Sequence, residues 1–328
     1  MNAAAVSGKT GSRAGLALAA PGKAGDRVFR LLTWLMAMVV LVLLALVGWT
    51  LCKGSALSLS KFGWHFFVHS NWDPVNGDYG AFWFIYCTFV SSCLALLIAL
   101  PLSLGTAVYL TELAPGWVRQ PAMSMIEMLA AIPSVVLGVW GIFVLVPWLR
   151  EGPYPLLVKH FGFLPVLRGP TTGFCILSAA IIIAIMILPI ITSIAREVFR
   201  AVPDSQREAA FALGATRWEV TRLAVLRYSV RGLFGAAMLG LGRALGETMA
   251  VTMVIGNSDK ISALLLAPGN TLASKMAAEY GETPLGLHLS ALFELGLMLL
   301  LVTVATNILA RLLIGAMGAR QPTGTGAP

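Results

Sequence analysis

The chain has 328 residues, 58% of them hydrophobic and only 12% charged, against about 25% charged in an ordinary soluble domain. This excludes a soluble globular enzyme and points to a membrane protein. The formal charge of +8 does not indicate nucleic acid, because the basic residues are spread over alternate polar segments and form no aromatic-interleaved patch.

Residues 1–28 are rich in Ala, Gly, Ser and Lys, lack apolar periodicity, and read as a disordered cytoplasmic tail. Residues 29–316 read as a transmembrane domain and 317–328 as a second cytoplasmic tail. About six apolar runs are long enough to cross roughly 30 Å of hydrocarbon: Phe29 to Leu51, Ala81 to Ala107, Ala122 to Leu149, Thr171 to Val198, Gly232 to Ile255 and Leu285 to Ile314. The first is too long for a signal-peptide core and no small-residue cleavage pattern follows it, so it is expected to stay as an anchor. With the N-terminus inside, cytoplasmic segments hold 15 Lys and Arg and external ones 7, which predicts both termini in the cytoplasm.

The external segment Lys53 to Gly80 interleaves aromatic residues with turn formers. Trp64, Phe66, Phe67 and Trp72 are expected to form an interfacial belt. His65 and His69, four apart, share a helix face, but two histidines are a weak metal signal. Pro101 and Pro189 predict kinks in the second and fourth spans, and Pro115 stops the short segment after the second. Pro133 and many small residues mark the third span, whose Glu127 sits at an interface. The proline-rich link from Arg150 to Pro170 reads as a rigid irregular loop.

The polar stretch Pro203 to Arg231 lies between the fourth and fifth spans. Ser205 precedes Glu208 by three residues and Thr216 precedes Glu219 by three, so each pair has the spacing of a capping box. Gly214 between them suits the left-handed end of a first helix. The stretch therefore reads as a helix, turn, helix hairpin.

In the fifth span Gly242 and Gly246 have the G-x-x-x-G spacing, as do Ala236 and Gly240 in its looser form, and either pair suits close helix contact. Arg243 and Glu247, four apart, are neighbours on that helix, with Arg243 about 18 Å beyond Arg231 at 1.5 Å per residue. Charges at such depth are costly and face protein or water. Two readings stand: a self-neutralising pair that fixes helix rotation, or an Arg243 fork that binds a passing oxyanion while Glu247 orients or releases it. The apolar part of Asn257 to Pro284 is too short to span and reads as a re-entrant or interfacial helix. In the sixth span, Glu294 and Asn307 line a cavity or join helices. Cys52, Cys87, Cys93 and Cys175 show no metal-ligand spacing and no paired framework, and read as small apolar residues.

Glu208, Ala209 and Ala210, three further residues, then Gly214 resemble the EAA loop of bacterial ABC-importer permeases. Further motifs are similar to the permeases of the phosphate importer: GLGRALGETMAVTMVIGN from Gly240 to Asn257, WDPVN from Trp72, LTELAP from Leu110 and AIPSVVLGVWGIF from Ala131. The resemblance implies an all-α polytopic fold of six transmembrane helices, the MetI-like permease fold, moving phosphate or, alternatively, sulfate or molybdate; a passive anion channel or a membrane-embedded enzyme is the more distant alternative. It implies a second, PstA-like permease, two PstB-like ATPase subunits that use ATP and Mg, and a periplasmic PstS-like phosphate-binding protein. Glu208, Ala209, Ala210 and Gly214 would couple to the ATPase, and Arg243 and Glu247 would line the substrate pathway. The chain itself has no G-x-x-x-x-G-K-[ST] phosphate cradle, and no catalytic residue, metal or bound cofactor is expected. It departs from the general loop pattern at Arg227, where a proline is usual, so the second hairpin helix is expected to run on toward the fifth span.

Overall fold

The computed structural model describes residues 23–318; of the expected tails, residues 1–22 and 319–328 lie outside them. Helix α1, Lys23–Gly54, starts six residues earlier than the apolar run suggests and is exposed over nearly its whole length. Two short helices follow, α2 (Ala56–Phe62) and α3 (His65–Val68), and then a two-residue antiparallel hairpin of β1 (Trp72–Asp73) and β2 (Asp78–Tyr79). Asp73 Oδ1 accepts from the amides of Val75 and Asn76 at 2.9 and 3.2 Å and closes the turn.

The structure corrects the aromatic belt. Trp64 is exposed and stacks on Phe67 at 4.7 Å, but Phe66 and Trp72 are buried, and Trp72 packs edge-on against Tyr79 and Phe84. The hairpin turns these rings onto the ends of the helices, so they act as core.

The centre of the fold is the pair α4 (Phe82–Val108) and α9 (Ile176–Arg200), both helical through their internal prolines. The buried face of α4 is built from Ser91, Ala95, Ala99, Ser103 and Ala107. Lipid is as apolar as isoleucine, so helices gain by approaching closely rather than by leaving lipid. Small residues permit that approach, and Ser103 Oγ donates to the Leu188 carbonyl of α9 at 3.1 Å.

After α4 a π turn, Tyr109–Leu113, leads to α5 (Gly116–Ala131). The third expected span is displaced. Pro133, whose amide cannot join the helix, separates α5 from α6 (Ser134–Trp140), and α6 continues through a π turn into α7 (Val146–Glu151). The link expected to be irregular contains α8 (Pro153–Phe161), with proline in its first turn, where no amide partner is missed. The crossing segment is thus Ser134–Phe161.

The polar stretch forms α10 (Asp204–Ala212) and α11 (Arg217–Val220). The chain runs without a break through the π stretch Thr221–Leu226 into α12 (Arg227–Leu245). The fifth expected span is therefore divided: α12 ends at Leu245, and α13 (Met249–Val254) resumes after three residues. Helix α14 (Leu272–Glu279) and the long α15 (Leu287–Gly318) complete the described chain. Among the described residues, five continuous helices are long and apolar enough to cross a membrane; α12 with α13 supplies the interrupted crossing.

Candidate functional site

Helix α10 does not start as its spacing suggested. Pro203 precedes its first residue and no side chain caps it. Ser205 lies inside the helix, the expected Ser205–Glu208 box is absent, and Glu208 points outward, exposed. Asp204 instead receives Arg207 Nη1 at 3.1 Å. The second box is formed: Thr216 N donates to Glu219 Oε2 at 2.8 Å and Glu219 N to Thr216 Oγ1 at 3.4 Å. The Thr216 backbone and hydroxyl bonds hold the Glu219 carboxylate below its ordinary pKa.

Gly214 has φ +82°. Its amide bonds the Phe211 carbonyl at 2.9 Å and the Ala215 amide bonds Ala210 at 3.2 Å, the pair of bonds that ends a helix on a left-handed residue. No other atom lies near a Cβ added there, so glycine is required by backbone conformation and not by space. The two arms enclose a groove of about 510 Å³ lined by Gln206, Ala209, Ala210, Leu213, Gly214 and Leu223. Leu213 at its turn is 89% exposed and Trp218 is 59% exposed, a large apolar display on an otherwise polar hairpin.

One residue anchors this hairpin. Arg207 donates to the carbonyls of Val202 and Phe199 at 2.7 and 2.8 Å and to Glu112 Oε1 at 3.1 Å. Glu112 lies in the π turn after α4, so a single guanidinium ties α10 to the ends of α4 and α9. Sequence reasoning missed it, although LTELAP, which contains Glu112, had been singled out as a motif.

In the divided span, the expectation that Arg243 and Glu247 share one helix is corrected. Helix α12 ends two residues after Arg243, and Glu247 lies in the break. The geometry still brings them together: Arg243 Nη2 is 3.9 Å from Glu247 Oε2, with Glu247 only 9% exposed and Arg243 45% exposed. That separation is an ion pair without a hydrogen bond, so the guanidinium fork keeps its donors. The tight contacts of α12 with α9 are made by Gly232, where a Cβ would come within 2.5 Å of Val198, and by Gly240, within 2.7 Å of Ile191, beside buried Ala236. Gly242 and Gly246 meet little in this chain. On the far side of the break Gly138 of α6 lets α13 approach, since a Cβ there would stand 3.0 Å from Ala250 Cα.

A second polar centre was not foreseen. Lys275 of α14, 3% exposed, lies 2.6 Å from both Asp259 Oδ2 and Glu279 Oε1. Glu279 Oε2 also accepts Trp72 Nε1 at 3.1 Å and contacts His288 Nε2 at 3.0 Å. Burial pushes the Glu279 carboxyl up, but the bonds from Lys275, His288 and Trp72 outweigh it and hold the pKa below the ordinary value. The β1–β2 hairpin, α14 and α15 are thereby joined through one partly buried network centred on Lys275. Glu294, further along α15, is fully buried and neither oxygen has a hydrogen-bond partner among the described residues, whereas Asn307 is exposed and bonds within its own helix. His65 and His69 stand 4.9 Å apart, but no group of three metal-ligating side chains occurs among the described residues.

Membrane crossings, one of them interrupted beside a buried carboxylate and an arginine with free donors, and an exposed helical hairpin clamped to their ends define a transmembrane transport component. A family model described as the binding-protein-dependent transport system inner membrane component matches residues 99–318. The chain is 45% identical over 296 residues to the phosphate transport system permease protein PstC of Haemophilus influenzae, covering 89% of this chain and 94% of that one. It is 47% identical over 293 residues to the protein of the same name from Pasteurella multocida, covering 88% and 91%. The chain belongs to the binding-protein-dependent transport inner membrane component family, in the branch of the PstC permeases. A solved structure of the MetNI methionine ABC transporter, inward facing, shares the fold with a TM-score of 0.50 at 18% identity, covering 74% of this chain and 94% of that one.

Proposed function

We propose that this chain is the permease subunit of an ATP-driven importer that moves inorganic phosphate across the bacterial cytoplasmic membrane by alternating access. The observation that carries the reading is the 45% identity to a phosphate permease over 89% of this chain and 94% of that one. The exposed Leu213 and Trp218 and the groove between α10 and α11 are the surface that seats one of two PstB-like ATPase subunits, which bind ATP and Mg. Both termini and the hairpin lie in the cytoplasm; the network around Lys275 lies at the periplasmic end, where a PstS-like protein delivers substrate. A PstA-like permease completes the pathway, and membrane lipid covers the remaining apolar faces.

The mechanism follows from the connections. ATP-driven closure of the partner moves the hairpin as a body. The Arg207 clamp passes that motion to α4 and α9, and the unbroken run from α11 into α12 passes it to the divided span. Arg243 offers its fork to the anion, and Glu247, 3.9 Å away, competes for the same charge and keeps binding weak enough for release. A break in a helix at membrane depth is tolerated where backbone lines a cavity, which suits a substrate path. Radiolabelled phosphate uptake, with sulfate and molybdate as competitors, in cells with and without this chain tests the proposal. Uptake that depends on the chain and resists both competitors supports it; chain-dependent uptake displaced by sulfate or molybdate would assign a different oxyanion.

A further inference from the structure

We propose that Arg119, Arg196 and Arg200 form a binding site for a phosphate group at the hairpin end of α5 and α9, supplied by an anionic lipid headgroup or by free inorganic phosphate. The site is separate from the groove between the hairpin arms and from the divided span. It is a cavity of about 370 Å³ lined by Gly116, Arg119, Gln120, Met123, Arg196 and Arg200, large against the roughly 30 Å³ that a water occupies.

Its donors are in place but incompletely used. The Nε atoms of Arg119 and Arg196 are both buried and neither has a hydrogen-bond partner among the described residues. Among the described residues only the Nη2 atoms of Arg119 and Arg196 donate to protein, so their Nη1 atoms remain for a ligand in the cavity. Arg119 is held from behind, its Nη2 donating to the carbonyls of Thr111 and Ala114 at 2.9 and 3.4 Å. Arg196 Nη2 donates to Glu197 Oε1 at 2.9 Å, and Arg200 Nη1 stands 3.9 Å from the same oxygen.

Glu197 meets Arg196 and Arg200 only, and Arg119 is bound by two neutral carbonyls, so the three guanidinium groups carry two positive charges in excess of the one carboxylate. Glu112, the nearest acid on the preceding turn, is engaged by Arg207, and Glu127 lies eight residues along α5, about 12 Å away by helix rise.

The chemistry selects the ligand. Guanidinium forks match the oxygens of a phosphate in geometry and charge. The N-terminus of the 16-residue α5 adds to this: Pro115 provides no side-chain cap, and Gly116, the first helical residue, lines the cavity. The positive end of the helix and its free amides therefore meet the same space as the arginines. Placement on the cytoplasmic side rests on the orientation proposed above, whereas the site itself does not.

The test uses the transporter purified with its partner subunits, in nanodiscs of phosphatidylcholine alone or mixed with phosphatidylglycerol. Native mass spectrometry counts retained phosphatidylglycerol, and equilibrium dialysis without nucleotide measures [32P]phosphate binding. Two variants are compared with wild type: Arg119→Gln with Arg196→Gln, and Gln120→Glu. The latter sets a carboxylate in the cavity mouth at an exposed position and removes none of the bonds described, so it decides the matter alone if the double variant does not assemble.

Loss of at least one retained phosphatidylglycerol per chain in these variants identifies a lipid headgroup. A phosphate Kd raised tenfold or more by Gln120→Glu, measured in phosphatidylcholine alone and in the Arg243→Gln background so that the divided span does not contribute, identifies free phosphate. Lipid retention and phosphate affinity both within twofold of wild type in Gln120→Glu overturn the proposal. Neither measurement uses ATP-driven uptake, so failure of the importer reading would be seen separately.

Discussion

Arg207 of α10 and Glu112 of the turn after α4 meet at 3.1 Å across 95 residues of sequence, both less than one-fifth exposed. Arg207 also donates to the carbonyl of Phe199 in α9, to that of Val202 just beyond it, and to Asp204 of its own helix. This side chain and the buried Val225, which packs with Ala107 and Phe199, fix the hairpin to two membrane helices, so it is not a loose connector.

If so, the pair is energetically coupled. Arg207→Ala and Glu112→Gln, alone and combined, form a double-mutant cycle on the unfolding of the purified protein in detergent. A coupling of about 1–3 kcal/mol is expected, in the range found for residues sharing one network. Arg207→Ala should cost more than Glu112→Gln, because it also leaves two carbonyls without their donor. In the assembled transporter it should lower uptake more than ATP hydrolysis.

Gly214 separates conformational from steric demand. Because a Cβ there meets nothing and φ is +82°, asparagine should be tolerated, while Gly214→Val should cost about 1–2 kcal/mol and loosen the ATPase. Co-purification of the ATPase with each variant checks this. Equal retention by valine and asparagine would show that the left-handed turn is not required for docking.

The Lys275 network should be acid-sensitive. Glu279 has a lowered pKa, so its contribution to stability is complete above the unfolded value, about 4.3, and is lost as pH falls through the lowered folded value. Wild-type melting temperature should fall below about pH 4.3, and Glu279→Gln should flatten that acid limb at the cost of lower stability at neutral pH. Lys275→Met leaves Asp259 and Glu279 without their cation and should cost roughly 1–3 kcal/mol, since both carboxylates stay partly solvated and Glu279 keeps Trp72 and His288. An acid limb identical in wild type and Glu279→Gln would remove the network from the account.

Much of this architecture is legible in local pattern, and the misreadings share a cause. Apolar runs locate crossings because lipid demands them, and Thr216, Glu219 and Gly214 report the hairpin because caps and left-handed turns are local chemistry. Where the competing partner is distant, local pattern fails. Ser205 and Glu208 have box spacing, yet α10 starts at Asp204 after Pro203, with Asp204 bound by Arg207. Trp72 has the composition of a belt residue, yet the β1–β2 turn and Glu279, 207 residues away, draw it inside. The break after Leu245 is hidden by an apolar run that continues across it; only Gly246 beside a charged residue signals it. Arg119, Arg196 and Arg207 read as topology signals, and their specific partners emerge only when α4, α5 and α9 are brought together.

The central claim joins the hairpin to an anion path at Arg243, and it is tested most directly by ATP-driven [32P]phosphate uptake into proteoliposomes containing the assembled transporter with Arg243→Gln. The account predicts that the variant assembles, retains its ATPase and takes up no phosphate above the ATP-free background. Uptake at the wild-type rate would contradict it and leave Arg243 and Glu247 as a structural pair.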